Sequence, residues 1–288
     1  MFRFMLFLTS IMLLSGSLFS KVRILTFHYN QADFIELQHR CFQKFMRDDY
    51  ELIVFNDAST AENERAIQQT CDQLGIQCVR FEPAWHDDIN NPIQGWGPSF
   101  RHARVIQYAL DHFGYDHDDP VVIMDGDAFF IRTISVKERL KDLDIFGMGR
   151  GDTQGRVVNY LWPPFIAFDP RKLPNLRDLK FHPTVIDDCW QDTGAASHHY
   201  LQNNPSVKYK RTLPEATAWF SHVPRVELLK MGFSELEIVL IRDLHLHACQ
   251  VELNIDRCVL HFREVSFEAG RHYAKLECLY KFMDELLK

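Results

Sequence analysis

A short apolar run ending in two carboxylates constrains this chain more than any other stretch. Residues Pro120–Arg132 read PVVIMDGDAFFIR. Val121, Val122, Ile123 and Met124 form a continuous apolar run, as in a strand covered on both faces of a parallel sheet. Asp125 and Asp127 follow, separated by Gly126. Side chains two residues apart on an extended chain point the same way. Strand geometry carried past Met124 therefore turns both carboxylates into one crevice at the carboxyl end of the strand, where open α/β sheets bind ligands. Two carboxylates on one side repel unless a cation joins them, and oxygen donors suit Mg²⁺ or Mn²⁺. Gly126, having no Cβ, is expected to let a bulky ligand approach the backbone. Asp-Gly-Asp is also an ordinary turn composition, but Phe129, Phe130 and Ile131 resume directly after it and are unlike the flanks of a solvated turn. The expectation is a divalent ion on Asp125 and Asp127 that clamps a diphosphate.

The rest of the chain supplies a large core for such a strand. At 288 residues, 46% hydrophobic and 25% charged, it reads as one globular α/β unit over residues 21–288, without repeats or linkers. A net charge of −7 makes no case for nucleic acid. Residues 1–20 stand apart: Arg3 precedes the apolar run Phe4–Leu14, and Ser15-Gly16-Ser17 follows. That pattern reads first as a cleaved export signal and second as an uncleaved anchor, which puts the protein in an exported, secretory or periplasmic compartment. Membrane association is expected only through that segment. Seven cysteines in no C-x-x-C pair argue against structural zinc and read mostly as buried thiols, Cys71–Cys78 being the one pairing considered.

Taken in order, the pattern predicts strands at Lys21–Phe27, Tyr50–Phe55, Cys78–Phe81 and Pro120–Met124. Helices are expected between them at Asp33–Met46, Ala61–Leu74 and Ser99–Phe113, with Asp33 and Thr60 as caps. This alternation predicts an α/β fold with right-handed crossovers and a mostly parallel sheet. Asp57 ends the second strand at the same crevice edge; it suits either a base-reading carboxylate or a plain turn or helix cap. Arg101, near the start of its helix, is positioned for phosphate or base, whereas Arg104 reads as a solvated side chain. Trp85–Pro98 reads as a long loop at the crevice.

A first strand, a second strand ending in Asn56-Asp57-Ala58-Ser59-Thr60, an Arg-bearing helix and a strand running into Asp125-Gly126-Asp127 together resemble the GT-A glycosyltransferases over roughly residues 21–132. The resemblance implies a Rossmann-like, mostly parallel sheet with a mixed acceptor half over residues 133–288. It implies transfer of a sugar from a nucleotide-sugar donor, a UDP-sugar first, to a carbohydrate or glycoconjugate acceptor, with Mn²⁺ (or Mg²⁺) as cofactor. It assigns the nucleotide base to Asp57 and the metal and diphosphate to Asp125 and Asp127. It also implies a late histidine completing the metal shell, for which His261 in Cys258–Arg263 is the choice and His245 with His247 the rival pair. The family's frequent Asp-Asp-Gly-Ser is Asn56-Asp57-Ala58-Ser59 here, a departure at Asn56.

In the second half, strands are expected at Asp144–Gly149, Pro164–Phe168 and Cys258–Arg263, with a polar loop at Arg150–Gly155 and a final amphipathic helix at Phe267–Leu287. Trp162 suits either a sugar-stacking ring or a core position. Asp192, before Thr193-Gly194, is the candidate general base, the alternative being a cap of the following helix. His198 and His199 point to different helix faces and make a poor metal pair. Lys275 and Arg271 are read as surface charges within reach of a diphosphate. The rival functions are a nucleotidyltransferase on a related sheet, which lacks its usual Gly-rich loop in Val22–Asn30, and a secreted binding protein without catalysis.

Overall fold

The computed structural model describes residues 20–86, 97–150, 158–214, 222–245, 251–262 and 272–288, without the side chains of 243–245 and 272–275. Its centre is a seven-stranded sheet in the order β10-β6-β7-β4-β1-β2-β3. The strands are β1 (Val22–His28), β2 (Tyr50–Asn56), β3 (Gln77–Arg80), β4 (Val121–Asp125), β6 (Ile145–Gly149), β7 (Leu161–Phe168) and β10 (Tyr209–Thr212). β1 to β4 run parallel, β6 and β10 share their direction, and β7 alone is reversed between β4 and β6. The expected mostly parallel α/β sheet is thus present.

Alternation along the central strands feeds a core on each face. Val22 and Ile24 of β1, with Val122 and Met124 of β4, join one apolar cluster; Leu25 and Phe27, with Val121 and Ile123, join the other. The first cluster is covered by α1 (Asp33–Phe45), α2 (Ala61–Leu74) and α8 (His272–Leu287). The second is covered by α3 (Gly97–Ala109) and α5 (Ser197–Asn203). Two covered faces explain why both sides of β1 and β4 are apolar.

Helix starts follow local chemistry only in part. Thr60 caps α2, its hydroxyl accepting from Asn63 N at 3.2 Å. Asp33, by contrast, does not cap α1: it lies inside the first turn and accepts from the Tyr280 hydroxyl at 2.7 Å. The predicted helix Ser99–Phe113 is α3 followed by one π turn, Leu110–Gly114. β7 begins three residues earlier than expected. Pro163 and Pro164 are tolerated there because its register against β6 shifts at Gly147/Met148, so no ladder donor is required of them.

Several elements carry no clear sequence signal. A second, three-stranded sheet of β11 (Val251–Asn254), β12 (Val259–Phe262) and β5 (Ala128–Phe130) packs beside the first. β8 (Thr184–Ile186) and β9 (Cys189–Gln191) form a hairpin through Asp187 and Asp188, both in the left-handed region. β12 is the exception: it falls within Cys258–Arg263, read from the sequence as a short apolar strand, and Arg263 lies outside the described residues. So do residues 1–19, 87–96, 151–157, His247 and Arg271, and the side chains of His245 and Lys275. Among the described residues no helix is long and apolar enough to cross a membrane. Cys41, Cys71 and Cys258 are buried and Cys78 is partly buried, all as free thiols.

Candidate active site

β4 ends at Asp125, and Gly126-Asp127 turns the chain into β5. β5 then pairs antiparallel with β12, setting His261 opposite Ala128. Phe262 N donates to the Asp127 carbonyl at 2.9 Å and locks the same register. A residue 134 positions away is thereby fixed beside the Asp-Gly-Asp turn. Ligand atoms of Asp125, Asp127 and His261 all lie within 4.8 Å of one another. Among the described residues no other three His, Cys, Asp or Glu side chains gather this way.

In this cluster each carboxylate faces a histidine. His261 Nε2 lies 3.5 Å from Asp127 Oδ1, and its Nδ1 lies 3.1 Å from Glu252 Oε2 on the neighbouring β11. Burial lowers the His261 pKa, but Asp127 and Glu252 outweigh it and push it up to about 9. Burial likewise acts to raise the Asp127 carboxyl, yet His261 and His102 hold it below its ordinary value. His102 Nε2 pairs with Asp125 Oδ1 at 2.9 Å. Burial lowers the His102 pKa, and the charges of Asp125, Asp127 and Asp192 reverse that into a rise.

Two carboxylates and one imidazole whose ligand atoms lie within 4.8 Å of one another fit a divalent ion. The imidazole favours Mn²⁺ over the all-oxygen preference of Mg²⁺. With Glu252 on Nδ1, the Nε2 side of the His261 ring is the one turned towards Asp127, the arrangement in which an outer carboxylate orients an imidazole.

The cluster opens into a cleft of about 330 Å³. Its walls include Asp57, Arg101, Asp125, Gly126, Asp127, Asp192 and His261, each singled out in the sequence. Asp57 does not cap α2, a position Thr60 holds; its Oδ1 instead takes His86 Nε2 at 2.7 Å, and both residues are buried. The Arg101 guanidinium lies over the Tyr29 ring, 5.7 Å from its centroid. Asp192 does not cap α5 either. Its Oδ1 accepts from the Ser99 hydroxyl at 2.6 Å and from Thr193 N at 2.7 Å, while Arg150 Nη1 pairs with Oδ2.

Other expectations change. Asn56 is structural: its Oδ1 accepts from Ala58 N and its Nδ2 donates to the Glu64 carbonyl, shaping the loop that presents Asp57. Trp162 takes the buried alternative while still lining the cleft, its ring 5.0 Å from the His261 ring and 5.3 Å from the Arg150 guanidinium. Arg104 is half-buried rather than solvated, with Nη1 shut away from any partner. His198 Nδ1 donates to the Asn159 carbonyl at 2.9 Å and stands outside the metal cluster.

Gly126 is required for a different reason than a close ligand. A Cβ there would sit 2.5 Å from the Phe27 carbonyl and 2.9 Å from His28 Nδ1, so the conflict is with the strand beneath the turn. Gly126→Ala is expected to destabilise the fold by about 1–3 kcal/mol. Urea unfolding checks this, and an unchanged midpoint would refute the contact.

Sequence reasoning missed His102, Glu252, His86 and Ser99. His102 and Ser99 carried a usable signal, sharing the first turns of α3 with Arg101; Glu252 and His86 carried none.

No family model and no curated protein matches this sequence. Among solved structures, the chain is similar to a mannosyltransferase from Pyrobaculum calidifontis, in complex with GDP-Man and Mn²⁺, at 17% identity and a TM-score of 0.44. That match covers 80% of this chain and 63% of the mannosyltransferase, so the chain spans less than two thirds of its length. S. aureus TarS (residues 1–349) is similar at 16% identity and TM-score 0.39, over 79% of this chain and 71% of that one. Glucosyl-3-phosphoglycerate synthase from Mycobacterium tuberculosis is similar at 14% identity and TM-score 0.38, over 67% and 69%.

Proposed function

We propose that the chain is a divalent-cation-dependent glycosyltransferase that moves a sugar from a nucleoside-diphosphate sugar, a UDP-sugar first, to an acceptor hydroxyl of a carbohydrate or glycoconjugate. The observation that carries this reading is the convergence of Asp125, Asp127 and His261 in the cleft that also holds Asp57 and Asp192. Breaking a sugar–phosphate bond leaves a diphosphate with extra negative charge, and a bound Mn²⁺ neutralises charge of that kind as a Lewis acid. The chain's own groups do the rest.

Asp57 has one oxygen held by His86, which leaves Oδ2 to accept an N–H from the nucleobase. Arg101 offers a guanidinium to the diphosphate, and stacking over Tyr29 limits its freedom. Asp192 is held in the cleft by Ser99 and Arg150 and takes the proton of the acceptor hydroxyl in an inverting transfer. Residues 21–288 act as the catalytic unit, and residues 1–20 direct it to an exported compartment or anchor it at a membrane.

The deciding experiment is a thermal-shift panel of nucleoside diphosphates with and without Mn²⁺, followed by hydrolysis assays of the matching nucleotide sugars. A stabilisation of about 2.7 kcal/mol is expected at a hundredfold excess of ligand over its Kd. No shift with any nucleotide, together with no hydrolysis, would end this reading. Asp192→Asn is expected to lower transfer by about 10²–10⁴-fold while leaving the Mn²⁺-dependent shift intact. Undiminished transfer would remove Asp192 from the base role.

A further inference from the structure

The turn that carries both carboxylates is held from below by one buried side chain that no role in substrate binding accounts for. Gln38 lies on α1 and is 1% exposed. Its Nε2 donates to the Asp125 carbonyl and to the Ala128 carbonyl, each at 2.7 Å, so both amide hydrogens bridge the two ends of the turn. Carbonyls only accept, which settles which way the amide faces. Oε1 then faces His28 Nε2 at 3.2 Å, so that ring nitrogen is the donor. The His28 ring in turn lies against Gly126, its Nδ1 2.9 Å from where a Cβ would stand.

Asp125 and Asp127 belong to the turn that Gln38 spans, and their carboxylates face His102 at 2.9 Å and His261 at 3.5 Å. Bonds from one amide to the carbonyls on either side fix the backbone from which both side chains project. Among the described residues Gln38 is the side chain seen to donate to the Asp125 carbonyl, and a buried acceptor deprived of a donor is costly.

We propose that Gln38 is a positioning residue for the cation site: by clamping the Asp125–Ala128 turn it holds the two carboxylates at ion-receiving separation before the ion arrives. This rests on the reading of Asp125, Asp127 and His261 as a divalent-cation site. It extends that site into α1, which contributes no ligand and faces the opposite side of the turn from the cleft.

The test is Mn²⁺ titration by calorimetry on the nucleotide-free full chain, comparing the parent with Asp127→Ala, Gln38→Met and a core control, Ile67→Val. Gln38→Met keeps volume and removes both donors; Gln38→Asn keeps the amide but shortens its reach and carries the same test if the first variant does not fold. Outer partners of metal ligands set affinity by about 10–100-fold, and a drop of that size is expected for either Gln38 variant. The Ile67→Val control is expected to lower the melting temperature without moving Mn²⁺ affinity, which separates positioning from general loss of stability. Parent-like Mn²⁺ affinity in a folded Gln38 variant, alongside loss in Asp127→Ala, overturns the role of Gln38 alone. Absence of Mn²⁺ binding by the parent overturns the cation reading and the clamp with it.

Discussion

Asp127→Ala is expected to remove the Mn²⁺-dependent stabilisation by nucleoside diphosphate and to lower sugar transfer by roughly a thousandfold, about 4 kcal/mol of transition-state stabilisation. The magnitude follows from the surroundings. Asp127 is the member of the cluster that faces His261, at 3.5 Å, and its own carbonyl is tied to Phe262 N. Without it, Asp125 and His261 remain as two donors around a site open to the cleft, too few to hold a divalent ion firmly. The pair Asp127 and His261 also balances charge when no ion is bound, so the variant exposes His261 to Glu252 alone. The melting temperature without ligand is therefore expected to move far less than the activity. The paired measurement is nucleotide-sugar turnover against ligand-free melting; retained turnover in a folded variant would show that the site does not work through this carboxylate.

The second large effect is on stability. Phe130→Ala is expected to cost about 3–5 kcal/mol, a sizeable part of the 5–15 kcal/mol that holds a typical domain together. Phe130 is fully buried, 5.4 Å from the Phe42 ring of α1 and 5.7 Å from the Phe165 ring of β7. It stands opposite Val259 in the β5–β12 pairing, two steps from where His261 meets Ala128. Truncation leaves a cavity between the two sheets and loosens the strand pair that sets the His261 distance. Lower Mn²⁺ affinity is therefore expected beyond the loss of stability. Urea unfolding and Mn²⁺ titration of the same variant check both; a loss below about 1 kcal/mol would mean that β5 is not anchored through this ring.

The contrast between these two residues shows what could be read from the chain and what could not. Asp127 is conspicuous because two carboxylates flank a glycine directly after a buried apolar run. Phe130 is visible as apolar, yet its place in a second sheet is not, since β5 has three residues and becomes a strand only by pairing with β12. The hairpin of β8 and β9, and β10 at the far edge, are similarly short. Segments of this length carry too little periodicity to declare themselves, and their partners decide their state.

By itself, the sequence determined the alternation of strands and helices around a parallel sheet, because strands buried on both faces must be apolar throughout and their helices must show a 3.6-residue stripe. It also determined the carboxylate pair at the end of β4 and singled out Asp57, Arg101, Asp192 and His261. Only the tertiary structure decided that these meet in one cleft and that His261 stands by Asp127. It alone showed that Glu252, His102 and Gln38 surround the turn from three different elements. The physical reason is that such contacts join residues about 90 or more positions apart in the case of Gln38 and His261, through strand register and helix packing, and neither leaves a local pattern in the chain.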